Sequence, residues 1–126
     1  MNNLKPFNQQ KLFGLDKYFI ELIKLYETNK FPNKILFSGQ KGIGKSTLAY
    51  HFINYVLSQD DKYKYDVDNF KIRTECSIFR TIINKSNPNL IIVDINHDKK
   101  FIDINQIREL VINLNKSSFN NKPRFV

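Results

Sequence analysis

Three of the four glycines in this chain fall within six positions, in the stretch SGQKGIGKSTLAYHF at 38–52. Glycine supplies backbone conformations with positive φ and lets main chain approach a ligand with no Cβ in the way. Gly39, Gln40, Lys41, Gly42, Ile43, Gly44, Lys45 and Ser46 fill the pattern G-x-x-x-x-G-K-[ST] at every fixed position. In such a loop successive backbone N–H groups converge on an anion. The helix that follows adds its unpaired first-turn N–H groups and the positive end of its dipole. Lys45 is expected to reach the β- and γ-phosphates of a nucleoside triphosphate. The Ser46 hydroxyl would ligate Mg²⁺, which takes hard oxygen ligands, and Thr47 would bond the α-phosphate. The expected ligand is ATP with Mg²⁺; the competing reading is a glycine turn that joins a strand to a helix and binds nothing.

The surroundings fit a strand, a turn and a helix. KILFS at 34–38 is a short apolar run ending at Gly39, as a buried strand would. From Lys45 to about Ser58, Leu48, Ala49, Phe52, Ile53 and Val56 give a helical pattern that is apolar on more than one face. Ahead of the loop, Leu15, Phe19, Leu22, Ile23 and Tyr26 place an amphipathic helix between Gly14 and Lys30, broken by FPN at 31–33. QDDKYKYDVDNF at 59–70 has mixed charge and no period, and reads as an exposed loop. A third helix is expected from about Thr74 to Asn84, using Ile78, Phe79, Ile82 and Ile83. NPN at 87–89 ends it, and LIIVDI is expected as a second buried strand. Asp103 and Gln106 stand three apart ahead of Ile107, Val111 and Leu114, the spacing of a capping box that opens a fourth helix. RFV at 124–126 reads as the first residues of a third strand. The alternation predicts an α/β P-loop fold, a parallel sheet flanked by helices on both faces. No repeat or low-complexity linker divides the chain, so 1–126 is expected to be one structural unit, a fragment whose sheet continues in further sequence.

Composition narrows the class further. The 126 residues are 41% hydrophobic, within the globular range, and no apolar run approaches the roughly 20 residues needed to cross a bilayer. The beginning, MNNLKPFNQQ, lacks the apolar stretch of a signal peptide, so a soluble cytoplasmic protein is expected. Cys76 is the single cysteine, which excludes an intrachain disulfide and a multi-cysteine zinc site; it reads as a small half-buried residue. The net charge of +8 invites a nucleic-acid reading. Yet the lysines are scattered, and their abundance beside asparagine and isoleucine, with alanine only at Ala49, has the look of an A/T-rich coding sequence. An ordinary solvated surface is the preferred account, with weak non-specific DNA binding following from the charge.

Hydrolytic phosphate-loop proteins hold Mg²⁺ through a second carboxylate that ends an apolar strand, often with glutamate beside it. Asp94 ends LIIVD, but Ile95 follows it. Asp94 therefore reads as a surface aspartate ending an ordinary strand, the other candidate lying in a continuation of RFV. No catalytic residue is assigned. A small nucleotide or metabolite kinase would need an arginine-rich lid, for which only Arg73, Arg80, Arg108 and Arg124 are present.

Longer stretches carry a resemblance. LFGLDKYFIELIKLYETNKFPNKILFSGQKGIGKSTLAYHFINYVLS at 12–58 resembles the opening of the delta-prime subunits of bacterial DNA polymerase III clamp loaders, a family of AAA+ proteins. SNPNLIIVD resembles that family's Ser-His-Pro-Asp lead-in to a strand, and IDINQIREL its Ile-Arg-Glu-Leu helix. The sister gamma/tau subunits are similar as well. The resemblance implies the N-terminal part of an AAA+ nucleotide-binding domain that stops at the start of the strand bearing the Mg²⁺ aspartate. It also implies other clamp-loader subunits and a sliding clamp as partners, with DNA contacted non-specifically through the assembly. Many relatives carry a four-cysteine zinc module after the phosphate-loop helix; only Cys76 remains here, and no metal site is carried over. A stand-alone kinase and a non-catalytic assembly module in which bound nucleotide is structural remain the alternatives.

Overall fold

The structure is a computed structural model that describes residues 5–126. It contains a 3-10 turn at Pro6–Asn8 and four helices: α1 (Asp16–Glu27), α2 (Lys45–Leu57), α3 (Ser77–Ile83) and α4 (Ile104–Asn115). Each coincides with a helix expected from the sequence. The described residues divide into two compact units, the first running to Lys85 and the second from Ser86 to Val126.

The first unit is built around aromatic rings. Along α1 the 3.6-residue period brings Phe19, Leu22 and Ile23 to the buried side. Phe19 is fully buried, its ring centroid 5.1 Å from Tyr65, 5.9 Å from Phe70 and 6.2 Å from Tyr55. Phe52 of α2 stacks on Phe31 at 4.8 Å with 14° between ring planes. α2 buries Leu48, His51, Phe52, Asn54, Tyr55, Val56 and Leu57, the broad buried arc that its sequence foretold. α3 adds Phe79 and Ile82. Its N-terminus is capped from a distance, since Asp61 accepts from the Ser77 backbone N–H at 3.1 Å and from the Ser77 hydroxyl at 2.6 Å. These bonds hold the Asp61 carboxyl below the usual carboxylate range. Cys76, just ahead of α3, is buried, and burial raises its thiol pKa.

The stretch at 59–70 is only partly the exposed loop expected. Asp66 and Lys71 exchange backbone hydrogen bonds of 3.0 Å and close a small hairpin. Tyr65 beside it is 5% exposed and belongs to the core. Lys71 also bridges Lys11: the Leu12 N–H donates to the Phe70 carbonyl at 3.0 Å, and the Ile72 N–H to the Gln10 carbonyl at 2.7 Å. The segment before α1 is thereby hung on the hairpin.

The expected parallel sheet is absent, which corrects the α/β P-loop reading of the fold. Among the described residues there are no strands, only isolated bridges at Lys11–Lys71, Asp66–Lys71 and Leu90–Phe125. The run 34–38, expected as a buried strand, has no ladder partner, and Leu36 is 90% exposed. The run 90–95 makes a single parallel rung: the Ile91 N–H donates to the Phe125 carbonyl at 2.9 Å, and the Phe125 N–H to the Asn89 carbonyl at 2.7 Å. Ile92 and Ile95 are about half exposed. Apolar character makes a segment fit to be a strand, but a strand exists only when a neighbour satisfies its N–H and C=O groups.

The second unit is held by polar contacts. The side-chain amides of Asn89 and Asn120 bond each other reciprocally at 2.9 and 3.0 Å, and Asn89 also donates to the carbonyls of Lys122 and Pro123 at 3.2 Å. α4 opens on the expected capping box. Asp103 accepts from the Asn105 N–H at 3.1 Å, and the Asp103 N–H donates in return to the Gln106 side-chain oxygen at 2.9 Å. Lys99 pairs with the same aspartate. At the other end the Arg124 guanidinium donates to the carbonyls of Asn113, Leu114 and Lys116, which fits a cation to a helix C-terminus. No buried residue lies on α4.

Candidate functional site: a glycine loop, a lysine and an open cavity

The loop at 39–44 takes backbone shapes that explain its glycines. Gly42 and Gly44 have φ of 85° and 98°, values an L side chain rarely adopts. Gly44 has a second constraint, because a Cβ there would meet Leu15 at 3.3 Å. Around Gly42 nothing lies within 4 Å of such a Cβ, so the loop is open on that side.

α2 begins at Lys45 directly after Gly44, which leaves its N-terminus without a side-chain cap. The other helices differ: α1 has Asp16 in its first turn, α3 has Asp61, and α4 has Asp103. α2 therefore presents first-turn N–H groups and a positive dipole end with no acidic residue in that turn and no side-chain cap. The Lys45 ammonium folds back over the loop and donates to the carbonyls of Gly39 at 2.9 Å and Gln40 at 2.7 Å. It is a cation held by two weak neutral acceptors, free to exchange them for anionic oxygens.

Lys41, Gly42, Gly44, Lys45, Ser46 and Thr47 line one side of an open cavity of about 580 Å³, a volume suited to a small-molecule ligand. The opposite wall comes from Pro6, Gln9, Lys11, Leu12, Phe13 and Leu15. Gly39, Gln40 and Ile43 belong to the loop but not to this lining. Among the described residues no group of three or more His, Cys, Asp or Glu could hold a metal ion. Asp94, the acidic candidate, is exposed in the second unit and accepts from the Ile95 N–H at 2.7 Å.

Sequence reasoning passed over two residues behind this site. His51, on α2, is fully buried; its Nε2 lies 2.8 Å from the Gln9 carbonyl and its Nδ1 2.7 Å from the Tyr65 hydroxyl. Burial pushes its pKa from 6.5 down to about 4, opposed in part by the bond to Gln9. Burial, and then the charges of Asp66 and Asp16, raise the Tyr65 pKa, so its proton stays on. A lone histidine in a helical pattern gave no signal, because its partners stand 42 and 14 residues away. Nearby, the Asn54 side-chain oxygen is buried without a partner.

Residues 14–126 match the model of a protein family described as DNA polymerase III, delta subunit, which covers the loop, its helix and the whole second unit. No curated protein and no solved structure matches the chain. No helix among the described residues is long and apolar enough to cross a membrane.

Proposed function

We propose, from the premise that this chain belongs to the DNA polymerase III, delta subunit family, that it is an ATP-binding subunit of the clamp loader, of the delta-prime type. Membership places it among clamp-loader-type subunits of DNA polymerase III. The finer reading is that MgATP held at residues 39–47 helps to open a sliding clamp and set it on primed DNA. The observation that carries it is the Lys45 ammonium, poised over a glycine loop at an uncapped helix N-terminus with no acidic residue in its first turn.

On binding, Lys45 exchanges the Gly39 and Gln40 carbonyls for β- and γ-phosphate oxygens. The N–H groups of the loop and of the first turn of α2 would bond the phosphates, Ser46 would contribute its hydroxyl to Mg²⁺, and Thr47 would bond the α-phosphate. The wall formed by Pro6 to Leu15 would hold the nucleoside. ATP at such a site acts by stabilising one geometry of an assembly and releasing it on turnover. Other clamp-loader subunits and the clamp are the partners, in the cytoplasm. DNA is met through phosphate contacts of the assembly, without sequence preference and with steep salt dependence.

Titration with a fluorescent ATP analogue in the presence of Mg²⁺ tests the reading. Replacing Lys45 by alanine removes a charge-assisted bond of about 1.5–3 kcal/mol, so Lys45→Ala is expected to weaken binding by about 10- to 100-fold. Equal affinity in the two proteins would sink the assignment.

A further inference from the structure

We infer that His51 is a positioning residue for nucleotide recognition: its imidazole holds the Gln9 carbonyl, and with it the wall from Pro6 to Leu15, against the helix that carries Lys45. The inference rests on the functional reading above and deepens it, because it assigns the phosphate end and the nucleoside end of one ligand to separately supported parts of the site.

The tautomer follows from the partners. A backbone carbonyl only accepts, so Nε2 carries the ring proton and donates it to Gln9. Nδ1 is then a lone pair, and it accepts from the Tyr65 O–H. Both polar edges of a fully buried ring are satisfied in the neutral form, and each points to a different segment of chain. One is the cavity wall; the other is the hairpin segment.

Those two segments are joined to each other as well. The hairpin accepts from Leu12 at the Phe70 carbonyl and donates to Gln10 from Ile72. Wall, hairpin and α2 thus form a closed frame in which His51 is the hydrogen-bonded corner on α2. That corner stands six residues beyond Lys45, about 9 Å along the helix. It is too far from the loop to touch phosphate, and it bonds directly to the wall that would face the nucleoside. A leucine of similar bulk would fill the same volume without any hold on Gln9. Removing the imidazole should therefore loosen the wall and leave the glycine loop as it is.

Equilibrium titration of the purified chain with MgATP and with magnesium tripolyphosphate separates these roles, because tripolyphosphate has no nucleoside. His51→Leu is expected to weaken ATP binding by about tenfold while tripolyphosphate affinity stays within about twofold. His51→Gln keeps an N–H donor for the Gln9 carbonyl and should recover most of the loss. Tyr65→Phe removes only a hydroxyl and keeps the ring, so it carries the same test if the leucine variant does not fold; a loss of about threefold for ATP alone is expected. Equal losses for both ligands in these variants would make His51 a stability residue and overturn the inference. Unchanged ATP affinity would overturn it too. A wild-type chain that binds neither ligand overturns the functional reading itself. One that binds tripolyphosphate as tightly as ATP keeps the loop and removes the wall from recognition.

Discussion

His51 gives the first unit a response to acid that its carboxylates do not. Its pKa falls from 6.5 to about 4 in the folded chain, so folding favours the neutral ring and the unfolded chain takes up the proton first. The contribution to stability is fully present above about pH 6.5 and is lost as pH falls through 4. Integrated over that window it amounts to about 3 kcal/mol. The depressed carboxyls of Asp61 and Asp66 act lower, since their contributions fade only below the ordinary 3.8, as does that of Asp103 in the second unit. Chemical denaturation between pH 7 and 4 should show a falling midpoint in the native chain and a flatter profile in His51→Leu. A native midpoint constant across that range would contradict the neutral, doubly bonded ring. What the sequence made legible at this scale was local: Gly42, Gly44 and Lys45 announce themselves through spacing, whereas Tyr65 looked like one more residue of a charged loop. Its burial depends on Phe19 and His51, neither of them near in sequence.

The helices were readable because their information is carried within one segment. Phe19, Leu22 and Ile23 on α1, and the Asp103–Gln106 box on α4, needed no knowledge of the rest of the chain. The runs 34–38 and 90–95 were misread because a strand is a relation between segments, and the single rung at Leu90–Phe125 is not a ladder. Helix ends hold a further test. α1 closes with Asn29 at φ 55°, the Lys30 N–H reaching the Leu25 carbonyl at 2.9 Å and the Asn29 N–H the Tyr26 carbonyl at 3.1 Å. α3 closes with Lys85, also at φ 55°, its N–H on the Ile82 carbonyl at 3.1 Å. Asparagine tolerates the left-handed conformation; lysine does so at a cost of roughly 1 kcal/mol or more. Lys85→Gly should accordingly raise stability by about 0.5 kcal/mol after the added freedom of the unfolded chain is subtracted. The denaturation midpoint reports this, and a lower midpoint would mean that the lysine side chain contributes more than its backbone strain costs.

Across the described residues every buried hydrophobic side chain, from Leu12 to Ile82, lies in the first unit, while the second buries only the polar Asn87 and Asn89. Unfolding raises heat capacity because apolar surface becomes hydrated, and amide surface works in the opposite direction. A unit clasped by the Asn89–Asn120 amides, its apolar side chains only partly buried, therefore adds less than its length to the calorimetric increment. With the first unit ending at residue 85, the usual per-residue value gives about 1.1 kcal/mol/K, against about 1.7 for all 126 residues. Scanning calorimetry should return a value nearer the smaller figure; the larger one would mean that residues 86–126 bury as much apolar surface as an ordinary core. The smaller increment also flattens the stability curve, so Ser86–Val126 should hold its clasp on cooling to temperatures at which an oil-filled core begins to weaken.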